Sequence, residues 1–172
     1  MNLKAKIATT TAALALAASG AVVGTAGVAH AQPPECANRD LTASYRATDA
    51  GAGHRYGVIR LTVTSDRTCF VRGYGGLSYV GHGNGTQVGA SAERDGGRVR
   101  TVVLDPGDSV ASRVDEVVAG NYPRRACRPT AVDGFRVYVP DSTVSQFVPH
   151  RTTGCAKAGV HLIGHRPFHR AG

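Results

Sequence analysis

From residue 41 onward, apolar and polar side chains alternate in short runs. Leu41, Ala43 and Tyr45 alternate with polar neighbours, and Ile59, Leu61 and Val63 face one way while Arg60, Thr62 and Thr64 face the other. Val99, Thr101 and Val103 alternate with Arg98 and Arg100, and Phe135, Val137 and Val139 with Arg136 and Tyr138. A period of two with one polar side predicts half-buried strands in sheets that keep one wet face. Ser112 to Ala119 reads two ways: Val114, Val117 and Val118 have helical spacing, and the same stretch continues a strand equally well.

Turn chemistry separates the runs. Asp49 to Gly53 is a Gly/Ala loop, Ser65-Asp66-Arg67 a turn, and Asn84-Gly85 the strongest hairpin signal. Asp95-Gly96-Gly97 and Asp105-Pro106-Gly107-Asp108 mark two more turns. Short strands at roughly 8–12-residue spacing predict an all-β fold, an Ig-like antiparallel β-sandwich. The expected sandwich spans residues 32–163, with 164–172 as a flexible C-terminal tail.

Residues 1–31 break this pattern and read as a signal peptide. Lys4 and Lys6 precede an Ala-rich apolar run from Ile7 to about Val28, and Ala29-His30-Ala31 forms a small-x-small cleavage site. The run is Ala, Gly and Thr rather than Leu and Ile, which favours cleavage over a retained membrane anchor. The first cysteine, Cys36, does not directly follow the cut, so no lipid anchor is expected. Cleavage leaves 141 residues and changes the net charge from +8 to +6. A chain of that length can bury a full core.

The four cysteines, Cys36, Cys69, Cys127 and Cys155, all follow the leader. An even count in an exported chain implies two disulfides, whereas a zinc site needs close pairs that are absent here. Of the three connectivities, Cys36–Cys69 with Cys127–Cys155 is favoured. It closes two separate loops, each worth roughly 3–4 kcal/mol in the chain-entropy model.

Thr64-Ser65-Asp66-Arg67-Thr68-Cys69-Phe70-Val71-Arg72-Gly73-Tyr74 resembles the N-x-G-x-x-x-C-x-L-x-G-Y-P signature of an actinobacterial exported family catalogued as domain of unknown function 4232. Leu104 to Val110 resembles its L-x-P-G-x-S-A element, and Cys127-Arg128-Pro129 its C-x-P, followed by a strand from Phe135 to Pro140. Cys155 stands where the fourth cysteine belongs. Gly75 replaces the usual Pro after Gly73-Tyr74, and Ser65-Asp66 replaces the usual Asn-x-Gly turn. The resemblance, from about Cys36 to Ile163, implies a secreted β-sandwich with two disulfides and carries no catalytic residues.

Composition narrows the chemistry. Gly 22 and Pro 8 in 172 residues fall short of low complexity, and 42% hydrophobic with 19% charged excludes a disordered polyelectrolyte. The positive charge after the leader is seventeen Arg and one Lys, scattered along the strands, with clusters at Arg98/Arg100 and Arg124/Arg125/Arg128. Export makes nucleic acid a poor partner for this charge. Anionic envelope polymers, or another exported protein, suit it better. Tyr74 and Tyr79, flanking Gly75-Gly76, offer a contact loop or strand packing.

Candidate catalytic groups are sparse. His54, Ser78, Ser91 and several Asp make a triad only on paper, without a G-x-S-x-G elbow. Glu35, Glu93 and Glu116 read as solvated carboxylates in turns or edges. His161, His165 and His169 recur every four residues, but Gly159, Gly164 and Pro167 oppose a helix that would align them, and no acidic neighbour orients a site. No metal or cofactor is expected, and these histidines read as a solvated tail. The reading is a secreted, non-catalytic binding or interaction module of the cell envelope or extracellular space, with Tyr74, Tyr79, Arg98, Arg100, Arg124 and Arg125 as its candidate contacts. The alternative is a small secreted hydrolase or protease inhibitor, the latter presenting the loop Ala119 to Arg128 beside Cys127.

Overall fold

Strands β1 (Leu41–Gly51) and β2 (His54–Val63) form a long antiparallel hairpin, in register from Leu41 opposite Val63 to Gly51 opposite His54. Ala52 (φ 49°) and Gly53 (φ 78°) make its two-residue turn. Two successive left-handed residues give a turn whose twist matches that of the flanking strands. The computed structural model describes residues 32–172, and the expected leader, residues 1–31, lies outside the described residues.

Ten further strands follow: β3 (Cys69–Arg72), β4 (Gly76–Gly81), β5 (Thr86–Ser91), β6 (Glu93–Arg94), β7 (Thr101–Leu104), β8 (Ser109–Val117), β9 (Pro129–Tyr138), β10 (Ser145–Cys155), β11 (Ile163–His165) and β12 (His169–Arg170). A one-turn helix, α1 (Arg124–Cys127), precedes β9. One sheet has the order β1-β2-β8-β11-β6, with β12 also paired to β8. The other has the order β10-β9-β4-β5, and β3 and β7 form a two-stranded ribbon. Pairing is antiparallel except between β11 and β6.

The expected all-β, antiparallel architecture with two disulfides is therefore the observed one. Ile59, Leu61, Val110 and Val114 of the first sheet share a core with Leu77, Phe135, Val137 and Val148 of the second. Cys36–Cys69 ties the N-terminal segment to β3, and Cys127–Cys155 ties α1 to the end of β10, in the favoured connectivity. One seam between the sheets is closed by a side chain. Gln146 of β10 accepts the Ala43 N–H at 2.8 Å and donates to the Leu41 carbonyl at 2.8 Å and to Asn38 Oδ1 at 3.0 Å. Backbone groups on the outer edge of β1 thereby gain partners that no neighbouring strand supplies.

Of the two readings open for Ser112 to Ala119, the strand is the observed one: it continues β8 to Val117, and a short 3-10 turn then begins at Ala119. Two expectations are corrected. The phase at β7 is reversed: Val102 and Leu104 face inward opposite Val71 and Cys69, while Val99 and Val103 are each 41% exposed. Cys69, held by its disulfide, brings Leu104 inward and so sets this register. Residues 164–172 are not a frayed tail, because β11 and β12 both pair with β8, Phe168 is buried, and its N–H donates to the Gly73 carbonyl at 2.8 Å. Pro167 forbids a helix there but not a chain that crosses an open sheet edge in two short pieces.

Candidate functional site

Between the sheets lies a polar cluster centred on Glu116. The strand phase that buries Val110, Ser112 and Val114 also points Glu116 inward, leaving it only 1% exposed. Its carboxylate accepts from Tyr45 Oη at 2.7 Å, from Tyr79 Oη, and is met by His150 Nε2 at 2.9 Å. Tyr45 reaches it from β1 across β2 because residue 57 is glycine: a β-carbon there would stand 2.3 Å from the Tyr45 ring. His150 stacks on Phe135, ring centroids 4.7 Å apart. Burial alone pushes the Glu116 carboxyl up. The hydrogen bonds from His150, Tyr79 and Tyr45 together outweigh it and hold the group below the usual carboxylate range. Burial, with the Glu116 charge second, pushes the Tyr79 phenol well above its ordinary value. The solvated edge expected for Glu116 is thus corrected: it is a buried charge with three donors, as a buried carboxylate requires.

His150 is half-buried, whereas the imidazole of His165 is buried. Desolvation, then the nearby Arg94 charge, lowers its pKa to about 4. Tyr74 closes over it edge-on at 5.5 Å, donates its hydroxyl to the Asp95 carbonyl at 2.6 Å and carries the Arg94 guanidinium 5.5 Å from its ring centroid.

Two concave surfaces lie outside these clusters. A groove of about 430 Å³ is bordered by Arg98, Arg100, His169 and Arg170, with Val102 and the buried Phe168 beneath. Arg170 is held by Asp108 Oδ2 at 2.9 Å and by the Val103 carbonyl. Arg98 and Arg100 are exposed and, among the described residues, enter no ion pair. A larger cleft of about 820 Å³ opens between the β4–β5 hairpin and β10, where His150 and Phe147 contribute to its wall.

The candidate residues separate accordingly. Arg98 and Arg100 share the first groove. Arg124 and Arg125 are exposed on α1, in a different element and not part of that groove. Tyr74 is half-buried in the His165 clasp, and Tyr79 is 3% exposed inside the Glu116 cluster, so the contact-loop reading is corrected to strand packing for Tyr79. His54 Nδ1 meets Asp115 Oδ1 at 2.6 Å, while Ser78 and Ser91 face each other across β4 and β5 on the opposite sheet. The segment Ala119 to Arg128 is wound into a 3-10 turn and α1 rather than extended. His161, His165 and His169 are dispersed: His161 lies 3.6 Å from Glu93, an acidic neighbour from a distant part of the chain, His165 is buried, and His169 borders the arginine groove. Among the described residues no three His, Cys, Asp or Glu side chains gather as a metal site.

Sequence reasoning missed His150 altogether. Glu116 was readable: once Ser112 to Ala119 is taken as a strand, Glu116 shares the inward phase of Val110 and Val114.

Comparison with known proteins gives one family match. The model of a family described as Domain of unknown function (DUF4232) matches residues 36–169. No curated protein and no solved structure matches.

Proposed function

Because the chain belongs to the DUF4232 family, whose description states no activity, we propose its role from its surface: a secreted, non-catalytic binding module that attaches to an anionic polymer of the cell envelope. The groove of Arg98, Arg100, His169 and Arg170 is its contact. The carrying observation is that Arg98 and Arg100 stand exposed there and, among the described residues, without a carboxylate partner. Guanidinium groups in that state are matched to phosphate or carboxylate groups of a ligand. Secretion is supported by the two disulfides, which persist in oxidising compartments. Among the described residues no helix is long and apolar enough to cross a membrane.

The test is retention of the purified protein on isolated cell-wall material at low and high salt. Retention that falls with salt, and falls further in the Arg98→Ser/Arg100→Ser variant, is the expected result. Retention indifferent to both, or measurable hydrolysis of wall material, overturns the reading.

A further inference from the structure

We propose that the cleft between the β4–β5 hairpin and β10 is a second binding site, one that takes an uncharged oligosaccharide. The cleft measures about 820 Å³, within the roughly 300–1,000 Å³ typical of ligand sites. Its lining includes Val80, Asp133, Phe147, Pro149, His150 and Arg151.

Phe147 is the anchor. It is 58% exposed although it sits on a sheet strand. Its ring is pressed against Gly134 of β9, where a β-carbon would stand only 2.6 Å from it. The ring is therefore held on one side and presented on the other. An ordered, solvent-facing aromatic is a stacking platform for the apolar C–H face of a pyranose ring.

Polar groups around the platform are already oriented. Asp133 Oδ2 accepts the Gly83 N–H of the hairpin at 2.8 Å, and His150 is held by Glu116 from behind at 2.9 Å. Asp133 offers acceptor oxygens and Arg151 a planar set of donors, the complement that vicinal hydroxyls require. Their charges cancel, in contrast to the arginine groove, so this cleft gains little from an ion.

A peptide strand is the competing occupant, and the edge of β10 argues against it. Pro149 has no N–H to offer, and the register of β10 against β9 shifts between Pro149 and Thr152. An added strand needs a regular ladder of backbone groups, which this edge lacks.

Titration calorimetry of the purified protein with maltooligosaccharides, cellooligosaccharides and N-acetylglucosamine oligomers tests the proposal. Expected is saturable binding of at least one of the three, insensitive to salt and unchanged by Arg98→Ser/Arg100→Ser. Phe147→Ala weakens it by about tenfold or more, as does Arg151→Gln to a lesser degree, with thermal midpoints near that of the parent because both side chains are exposed. Absence of saturable heat with all three sugars overturns the site. So does binding that survives Phe147→Ala, or binding of a phenylalanine tripeptide in place of the sugars. Because the arginine groove is tested by salt and by different substitutions, either site can fail without the other.

Discussion

His150 Nε2 stands 2.9 Å from Glu116 Oε2, and the two residues belong to strands of opposite sheets. With the phenols of Tyr45 and Tyr79 on the same carboxylate, this contact makes Glu116 a polar tie between the two sheets. Removing its charge leaves three donors facing a group that can accept fewer of them. Glu116→Gln is expected to lower stability by about 2 kcal/mol, read as a lower denaturant midpoint with an unchanged slope. Because the folded carboxyl titrates below its ordinary value, the tie contributes fully above about pH 4.5 and is lost as pH falls through the lower folded pKa. Acid unfolding in Glu116→Gln should lack that low-pH component.

His165 gives acid sensitivity in a higher window. Its folded pKa is lowered to about 4 from 6.5, so the unfolded chain binds the proton more readily between those values. Stability is full above pH 6.5 and falls as pH drops toward 4, by an amount on the order of 3 kcal/mol. Unfolding midpoints measured from pH 7 to 4 should show this loss in the parent and a flatter profile in His165→Asn, which cannot protonate.

The last nine residues carry structural weight. Phe168 is buried beneath the arginine groove, and β12 extends the β8 ladder. Phe168→Ala is expected to cost about 3 kcal/mol, and a chain ending at Ile163 should melt well below the parent. Thermal unfolding followed by far-UV circular dichroism measures both. A melting temperature unaffected by the truncation would contradict the pairing of β12.

Gln146 makes a prediction about the seam between β1 and β10. Gln146→Glu keeps an acceptor for the Ala43 N–H but sets a carboxylate against the Leu41 carbonyl and Asn38 Oδ1. Gln146→Ala loses the bonds without adding repulsion. Both should destabilise, the former by more, with losses of about 1–3 kcal/mol. Amide exchange at Ala43 is expected to be faster in the alanine variant than in the parent, where Gln146 accepts that N–H.

Much of the fold is legible in local order. Leu41, Ile59, Leu61, Phe135 and Val137 follow the alternation that predicts them inward, and each is buried. The Ala52-Gly53 and Asp105 to Asp108 turns fall where Gly, Pro and Asp mark them. The failures are of another kind. At β7 the alternation is real but its phase is ambiguous, since Val99 and Val103 are as apolar as Val102 and Leu104. Only the register against Val71 and Cys69 chooses between them. Arg98 and Arg100 were visible as a cluster, but His169 and Arg170 complete their groove from the far end of the chain.

Strand identity, the even cysteine count and the excess of arginine over acid are set by near neighbours or by composition, and so they can be read along the chain. The three partners that meet the Glu116 carboxylate and the exposure of Phe147 cannot be read that way. The partners of Glu116 lie 71, 37 and 34 residues away, on β1, β4 and β10. A buried charge is tolerable only once all three arrive, and Phe147 stays exposed on β10, an edge strand of its sheet. Sheet order decides both, because it alone determines which distant strands meet.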